Sequence, residues 1–502
     1  MFKNFTGFHL LEALQKNKPD KNVLKRVVTL FIALAATFTI WLLPTSALGI
    51  PDLTIIQQRV LAIFVFATLM WVMEVLPAWT TSVIIITTLL LTISDNSFWF
   101  LKEDVVGGGA QAYGTIVKGK AIMATFADPI IMLFLGGFIL AIAATKCGLD
   151  VLLAKVLLKL FGTKSENVLL GFLLVTGLFS MFISNTATAA MMISFLTPVL
   201  KALPADGKGR IGLALAIPVG ANIGGIGTPI GTPPNAIALK YLNDPDGMNL
   251  NIGFGEWMSF MFPLAIVILV FSWFILKTLF PFKQKNIELK ISGEVKHNWQ
   301  TNVVYITFIV TALLWMFDKL TGINANTVAM IPIAVFCATG IITRHDLEEI
   351  NWSILWMVSG GFALGLALKE TGLAETLVEA VPFGTWSPTL MVIGSGLLCF
   401  MMANFISHTA TAALLVPILA MVGVSMQDTL SAVGGVQTLL IGVALGSSLA
   451  MLLPISTPPN ALAHATGLIE QKDMLRVGIL MGAFGLIVGY GLLILLGTFG
   501  YF

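Results

Sequence analysis

The sequence predicts an all-α membrane protein, and three observations predict it. Of its 502 residues 57% are hydrophobic and 11% charged, whereas soluble domains carry about 25% charged residues. The apolar residues fall into runs of roughly 18–25, about the length a helix needs to cross the hydrocarbon core. Three short motifs recur at a nearly constant distance along the chain, so one half is built like the other. A transmembrane β-barrel would instead show segments of about ten alternating residues, and Val27 to Leu43 does not alternate.

Residues 1–26 are polar and basic with no small-residue cleavage site after the first apolar run, so they read as a cytoplasmic tail and not a secretory signal. About eleven crossings are expected, at 27–44, 58–76, 78–94, 129–146, 211–224, 256–280, 302–317, 325–343, 352–368, 436–454 and 475–498. Two further apolar stretches, 166–203 and 386–424, are interrupted by the triplets Ser184, Asn185, Thr186 and Ser407, His408, Thr409. Each reads as a re-entrant helical hairpin, because a polar break at membrane depth is tolerated only where the backbone is buried in protein or lines a wet cavity. With the N-terminus in the cytoplasm beside Lys16, Lys18, Lys21, Lys25 and Arg26, counting crossings also places Lys155, Lys159, Lys164, Lys283, Lys285, Lys290, Lys296, Lys472 and Arg476 inside. That satisfies the positive-inside rule and puts the C-terminus outside, in a cell inner or plasma membrane. Cys147, Cys337 and Cys399 have no metal-ligand spacing and read as packing residues. No basic cluster is interleaved with exposed aromatics, so no nucleic-acid partner is expected.

The repeat is specific. Gly136, Gly137, Phe138 recur as Gly360, Gly361, Phe362, an offset of 360 − 136 = 224. Ser184 to Ala190 answers to Ser407 to Ala413 at 407 − 184 = 223, and Thr232, Pro233, Pro234, Asn235 to Thr457, Pro458, Pro459, Asn460 at 457 − 232 = 225. Five crossings separate equivalent spans, an odd number, so the copies have opposite orientation, as in alternating-access transporters with inverted repeats.

Each triplet begins the second arm of its hairpin with residues that cap helices well, which leaves first-turn N–H groups free to face an anion. A helix N-terminus carries roughly half a positive charge, and two converging ends suit a dianion. No Lys or Arg stands beside either triplet. The paired prolines stop the preceding spans and leave carbonyls without helical partners, which suits a cation, with Gly224, Gly225 and Gly227 giving that backbone its turns.

These paired hairpin tips and Thr-Pro-Pro segments resemble the divalent anion:sodium symporter family, the INDY-type carriers, over nearly the whole chain. The resemblance implies a homodimer working as an elevator, with a fixed scaffold and a mobile transport domain. Scaffold parts would lie at 27–125, 246–281, 301–349 and 471–502, transport parts at 126–245 and 350–470, and a cytoplasmic linker at 282–300. It implies a dicarboxylate, citrate or sulfate substrate touching Asn185, Thr186, Ser407, Thr409, Thr457 and Pro458. No organic cofactor is implied. A sodium ion would sit at Ser180, Ser184, Asn185 and the backbone near Gly231.

The second repeat departs from that pattern. His408 stands where the first repeat has Asn185, and Ala403 where it has Ser180. The second cation site thereby loses a hydroxyl ligand and gains an imidazole, so His408 is a candidate cation surrogate beside the substrate. The expected function is dicarboxylate exchange with weak sodium dependence. Its alternatives are a sodium-coupled dicarboxylate or sulfate symporter and a cation/proton antiporter of related fold. An enzyme is not expected, since Ser407 and His408 are adjacent on a helix cap and point apart and no Gly-x-Ser-x-Gly elbow exists; the antiporter is disfavoured because the hairpin tips hold none of the buried acids such carriers have.

Overall fold

The computed structural model describes residues 21–73, 75–103, 112–201, 203–204, 207–245, 247–287, 298–380 and 386–501. The tail before Lys21, with Lys16 and Lys18, and the linker positions Lys290 and Lys296 lie outside the described residues. Among those described there is no β-strand, only two isolated bridges. In chain order the helices are α1 (Lys21–Leu42), α2 (Ile55–Met73), α3 (Ala78–Thr92), α4 (Gly119–Ala124), α5 (Pro129–Lys146), α6 (Leu149–Lys159), α7 (Ser165–Ser180), α8 (Asn185–Lys201), α9 (Gly209–Gly225), α10 (Pro233–Leu242), α11 (Phe254–Leu279), α12 (Trp299–Met316), α13 (Asp318–Thr321), α14 (Ala325–Val328), α15 (Met330–Ala338), α16 (Trp352–Glu370), α17 (Leu373–Ala380), α18 (Pro388–Ala403), α19 (His408–Ser425), α20 (Gln427–Leu430), α21 (Gly435–Ser448), α22 (Pro458–Ala465) and α23 (Gln471–Thr498).

Seven runs among the described residues are at least 18 residues long and apolar enough to cross a membrane: α2, Gly119–Lys146, α11, α12, α16, α19 and α23. The pair Gln427–Val433 and Gly435–Ser448, bent by 69°, would make an eighth. The crossing expected near 27–44 falls on α1, which is 22 residues long, while those expected near 78–94 and 325–343 come out as apolar helices of 10–17 residues. At about 1.5 Å per residue these reach roughly 15–26 Å, short of a hydrocarbon core of about 30 Å. α19 is long enough to cross alone, although the sequence reading makes it one arm of a hairpin.

The chain divides into two compact units, Met1–Asp128 with Ser353–Thr385 and Pro129–Trp352 with Trp386–Phe502, each taken over its described residues. In the first, α1 packs on α2 through Ala33, Phe66 and Met70. The buried Arg59 of α2 closes the following loop. Its Nη1 donates to the carbonyls of Thr92 and Leu101, each at 3.0 Å, and its guanidinium lies 5.7 and 5.6 Å from the Trp41 and Tyr113 rings.

The second unit contains both interrupted stretches and both Thr-Pro-Pro-Asn motifs. Here α7 lies against α9 so closely that a Cβ on Gly224 would sit 2.2 Å from the Gly177 carbonyl oxygen. The equivalent helices α18 and α21 meet the same way, a Cβ on Gly446 falling 2.5 Å from the Gly396 oxygen. Small residues at the crossing are what let helices approach where no water drives them together. α10 packs on α19, and α8 on α22. Each half's Thr-Pro-Pro-Asn helix therefore lies on the other half's interrupted stretch, and the repeat is one of packing as well as of letters. At the end of α5, Lys146 Nζ holds Asp346 Oδ2 at 2.6 Å and the Ile341 carbonyl at 2.9 Å.

Candidate functional site

Both triplets start helices in the same way. Ser184 precedes α8 and its hydroxyl accepts from Ala187 N at 3.3 Å, and Ser407 precedes α19 and accepts from Ala410 N at 3.1 Å. The serine is the cap, so the next two residues, Asn185 and Thr186 or His408 and Thr409, occupy the first turn. Their N–H groups have no helical partner and find no acceptor among the described residues. Asn185 and Thr186 are half-buried, whereas His408 and Thr409 are 8% and 7% exposed.

Below the first tip, oxygens gather. The buried Ser180 hydroxyl lies 2.7 Å from both Asn185 Oδ1 and the Ala221 carbonyl oxygen, and its single proton can serve only one of them. A Cβ at Gly225 would lie 2.8 Å from Asn185 Oδ1 and 3.0 Å from the Gly231 carbonyl oxygen. The absent side chain is what lets these oxygens close up. Ser180, Asn185 and the Gly231 backbone are thus brought together as the sequence reading expects, with Ala221 and Gly225 added. Ser184 caps α8 with its hydroxyl. An oxygen-rich pocket of this kind can hold a hard cation.

The second tip is built differently. Ala403 is fully buried and brings no oxygen, and His408 Nε2 lies 2.6 Å from the Ala450 carbonyl oxygen. A carbonyl only accepts, so Nε2 carries the proton. Ala450 is the counterpart of Gly225 at the offset of 225. The imidazole therefore donates to a carbonyl at the position where the first repeat gathers oxygens, and the neutral ring suffices for this. Asn404 braces the tip, accepting from Leu452 N at 2.8 Å while Ser456 Oγ donates to its carbonyl at 3.0 Å.

Several carbonyls of the turn before each proline pair are not free, as the sequence reading had them. In each motif the terminal asparagine takes them up. Asn235 Nδ2 has two protons for the carbonyls of Gly225, Ile226 and Thr228, which lie 3.1, 3.2 and 2.8 Å away, and Asn460 Nδ2 donates to Met451 and Leu453 at 3.0 and 2.9 Å. Thr457 is 5% exposed and Pro458 exposed at the start of α22. The two halves meet through a residue the sequence reading missed: Asn222 Nδ2 lies 3.2 Å from both Thr457 Oγ1 and Asn460 Oδ1. Its signal was available, since Asn222 is the lone polar side chain between Ile211 and Gly225, and a polar residue inside an apolar span is a functional candidate by default. His464 sits outside this network, its Nδ1 at 2.8 Å from the Ile469 carbonyl.

Among known proteins, residues 24–501 match the family described as the sodium:sulfate symporter transmembrane region. An uncharacterized transporter of Haemophilus influenzae is 32% identical over 406 residues, 77% of this chain and 83% of its own. The sodium-dependent dicarboxylate transporter SdcS of Staphylococcus aureus is 31% identical over 459 residues, 84% of this chain and 82% of its own. The crystal structure of the Alcanivorax borkumensis YdaH transporter superposes with a TM-score of 0.53 over 85% of this chain and 99% of its own, at 12% identity, a likeness of fold alone.

Proposed function

The chain belongs to the sodium:sulfate symporter family, the divalent anion:sodium symporters, and from that premise we propose that this secondary transporter carries C4 and C5 dicarboxylates such as succinate, malate, fumarate and 2-oxoglutarate. The observation that carries the reading is the pair of serine-capped first turns at Ser184 and Ser407, whose free amides suit two carboxylates without a cationic side chain. Asn185, Thr186, Ser407, His408, Thr409, Thr457 and Pro458 are the proposed anion contacts. The name of the staphylococcal relative, a dicarboxylate transporter, supports the substrate class.

The proposed mode is exchange. A bound cation that leaves with the anion lets the empty carrier return, whereas the His408 imidazole, already seated on the Ala450 carbonyl, stays behind. A homodimer with an elevator motion, the scaffold and transport boundaries given above, a cytoplasmic N-terminus and an external C-terminus complete the proposal. A second reading, sodium-coupled symport, is favoured by the oxygens around Ser180 and Asn185 and by the sodium-dependent relative. Uptake of labelled succinate into proteoliposomes, empty or preloaded with dicarboxylate, with sodium or choline outside, separates the two. Exchange predicts uptake that needs internal dicarboxylate and tolerates choline. Uptake that needs sodium and proceeds equally into empty vesicles establishes symport instead.

A further inference from the structure

We propose that Asn222 is a positioning residue for the anion, committing the Thr457 hydroxyl as a hydrogen-bond donor toward the substrate. The inference rests on the reading above, in which Thr457 belongs to the anion site. It follows from which atoms can donate. Asn460 Nδ2 lies 3.0 and 2.9 Å from the carbonyls of Met451 and Leu453, which only accept, so the Asn460 amide cannot be turned around. Its Oδ1 must then face a donor. The group opposite, 3.2 Å away, is the Asn222 amide, whose NH2 end is thereby fixed toward Asn460. That same nitrogen spends its other proton on Thr457 Oγ1, also at 3.2 Å.

Thr457 caps α22, so its Oγ1 also accepts from Asn460 N at 3.2 Å. A hydroxyl has two acceptor positions and one proton. With both positions taken, the proton can only be donated, and among the described residues no acceptor stands within hydrogen-bond reach of it. A donor held in a buried position by a relay of fixed amides is matched to a carboxylate or sulfate oxygen and mismatched to a cation. The first repeat lacks the device. The counterpart of Asn222 at the offset of 225 is Ser447, and Thr232 makes no capping bond with its side chain. The two Thr-Pro-Pro-Asn turns are therefore chemically unequal.

The test is a double-mutant cycle on uptake by the full-length carrier in proteoliposomes, run with both succinate and sulfate. N222A and T457V should each raise the KM for the transported anion about tenfold, as for losing a hydrogen bond to a charged group, with the maximal rate per folded carrier little changed. T457S, which keeps the hydroxyl, should recover most of the affinity that T457V loses. N222A combined with T457V should be no worse than T457V alone, because Asn222 acts through Thr457. If N222A does not give monodisperse protein, N222L replaces it: the side chain keeps about the size of asparagine and has no proton to give Thr457. A wild-type KM in the Asn222 variant, or effects that multiply in the double variant, overturns the relay while the carrier reading stands. Wild-type uptake of neither anion overturns the carrier reading and the relay with it.

Discussion

Single atoms set the two halves of the site apart. The first tip offers Ser180 Oγ and Asn185 Oδ1 where the second offers Ala403 and an imidazole already bonded to Ala450. Replacing both at once, A403S with H408N, gives the second repeat the side chains of the first. Uptake by that variant should depend more steeply on external sodium than uptake by the wild type, measured as the sodium concentration for half-maximal rate and its cooperativity. A dependence identical to wild type would reject His408 as a surrogate. A second residue-scale prediction concerns Asp346, which lies between α15 and α16. Burial pushes its carboxyl up, but hydrogen bonds from Lys146 and from the Thr343 side chain and backbone outweigh it and hold the group at about 2 against an ordinary 3.8. A carboxyl depressed in the fold contributes stability that is present above its unfolded value and lost as pH falls from about 4 toward 2. With Lys146 partly exposed, the contribution is on the order of 1–2 kcal/mol. Thermal unfolding in detergent should therefore show wild type losing stability over that window relative to D346N.

At the scale of elements, the helix pairs α7 with α9 and α18 with α21 depend on glycine where backbones touch. Gly224→Ala would place a methyl group 2.2 Å from the Gly177 oxygen and 2.4 Å from its Cα. Neither atom can swing aside, so the helices must separate, at a cost of about 1–3 kcal/mol or more. Gly394→Ala is the control, since its methyl would meet nothing closer than Leu390 Cδ1 at 3.5 Å and alanine favours the helix. Melting temperatures in detergent should fall for the first and hold or rise for the second. Equal behaviour would mean that the close crossing contributes little.

For the whole molecule, the interlocked repeat bears on alternating access. α10 on α19 and α8 on α22 tie each half's turn to the other half's interrupted stretch, so the two tips are expected to move as one body. With Cys147, Cys337 and Cys399 replaced, single cysteines beside Ser184 and beside Ser407 should label from opposite sides of the membrane, and saturating dicarboxylate should change both rates together. Labelling of both tips from one side, indifferent to substrate, would exclude alternating access through this site.

The helical class, the membrane setting, the repeat and the serine caps were legible in the sequence because each is a local property. Composition sets the solvent, runs of apolar residues set the spans, and a cap depends on a residue and the amide three places on. Crossings near 78–94 and 325–343 were less legible, because a run of apolar letters does not say where helical geometry stops and a short helix remains. The polarity of the site was not legible at all. Asn235 and Asn460 look like the ends of turn motifs until the carbonyls they serve are seen, His408 finds its partner 42 residues away, and Asn222 reaches Thr457 across 235. Whether an amide donates or a hydroxyl is left to donate depends on every neighbour's lone pairs at once, and only the packing of α9 against α22 brings those neighbours within 3.2 Å.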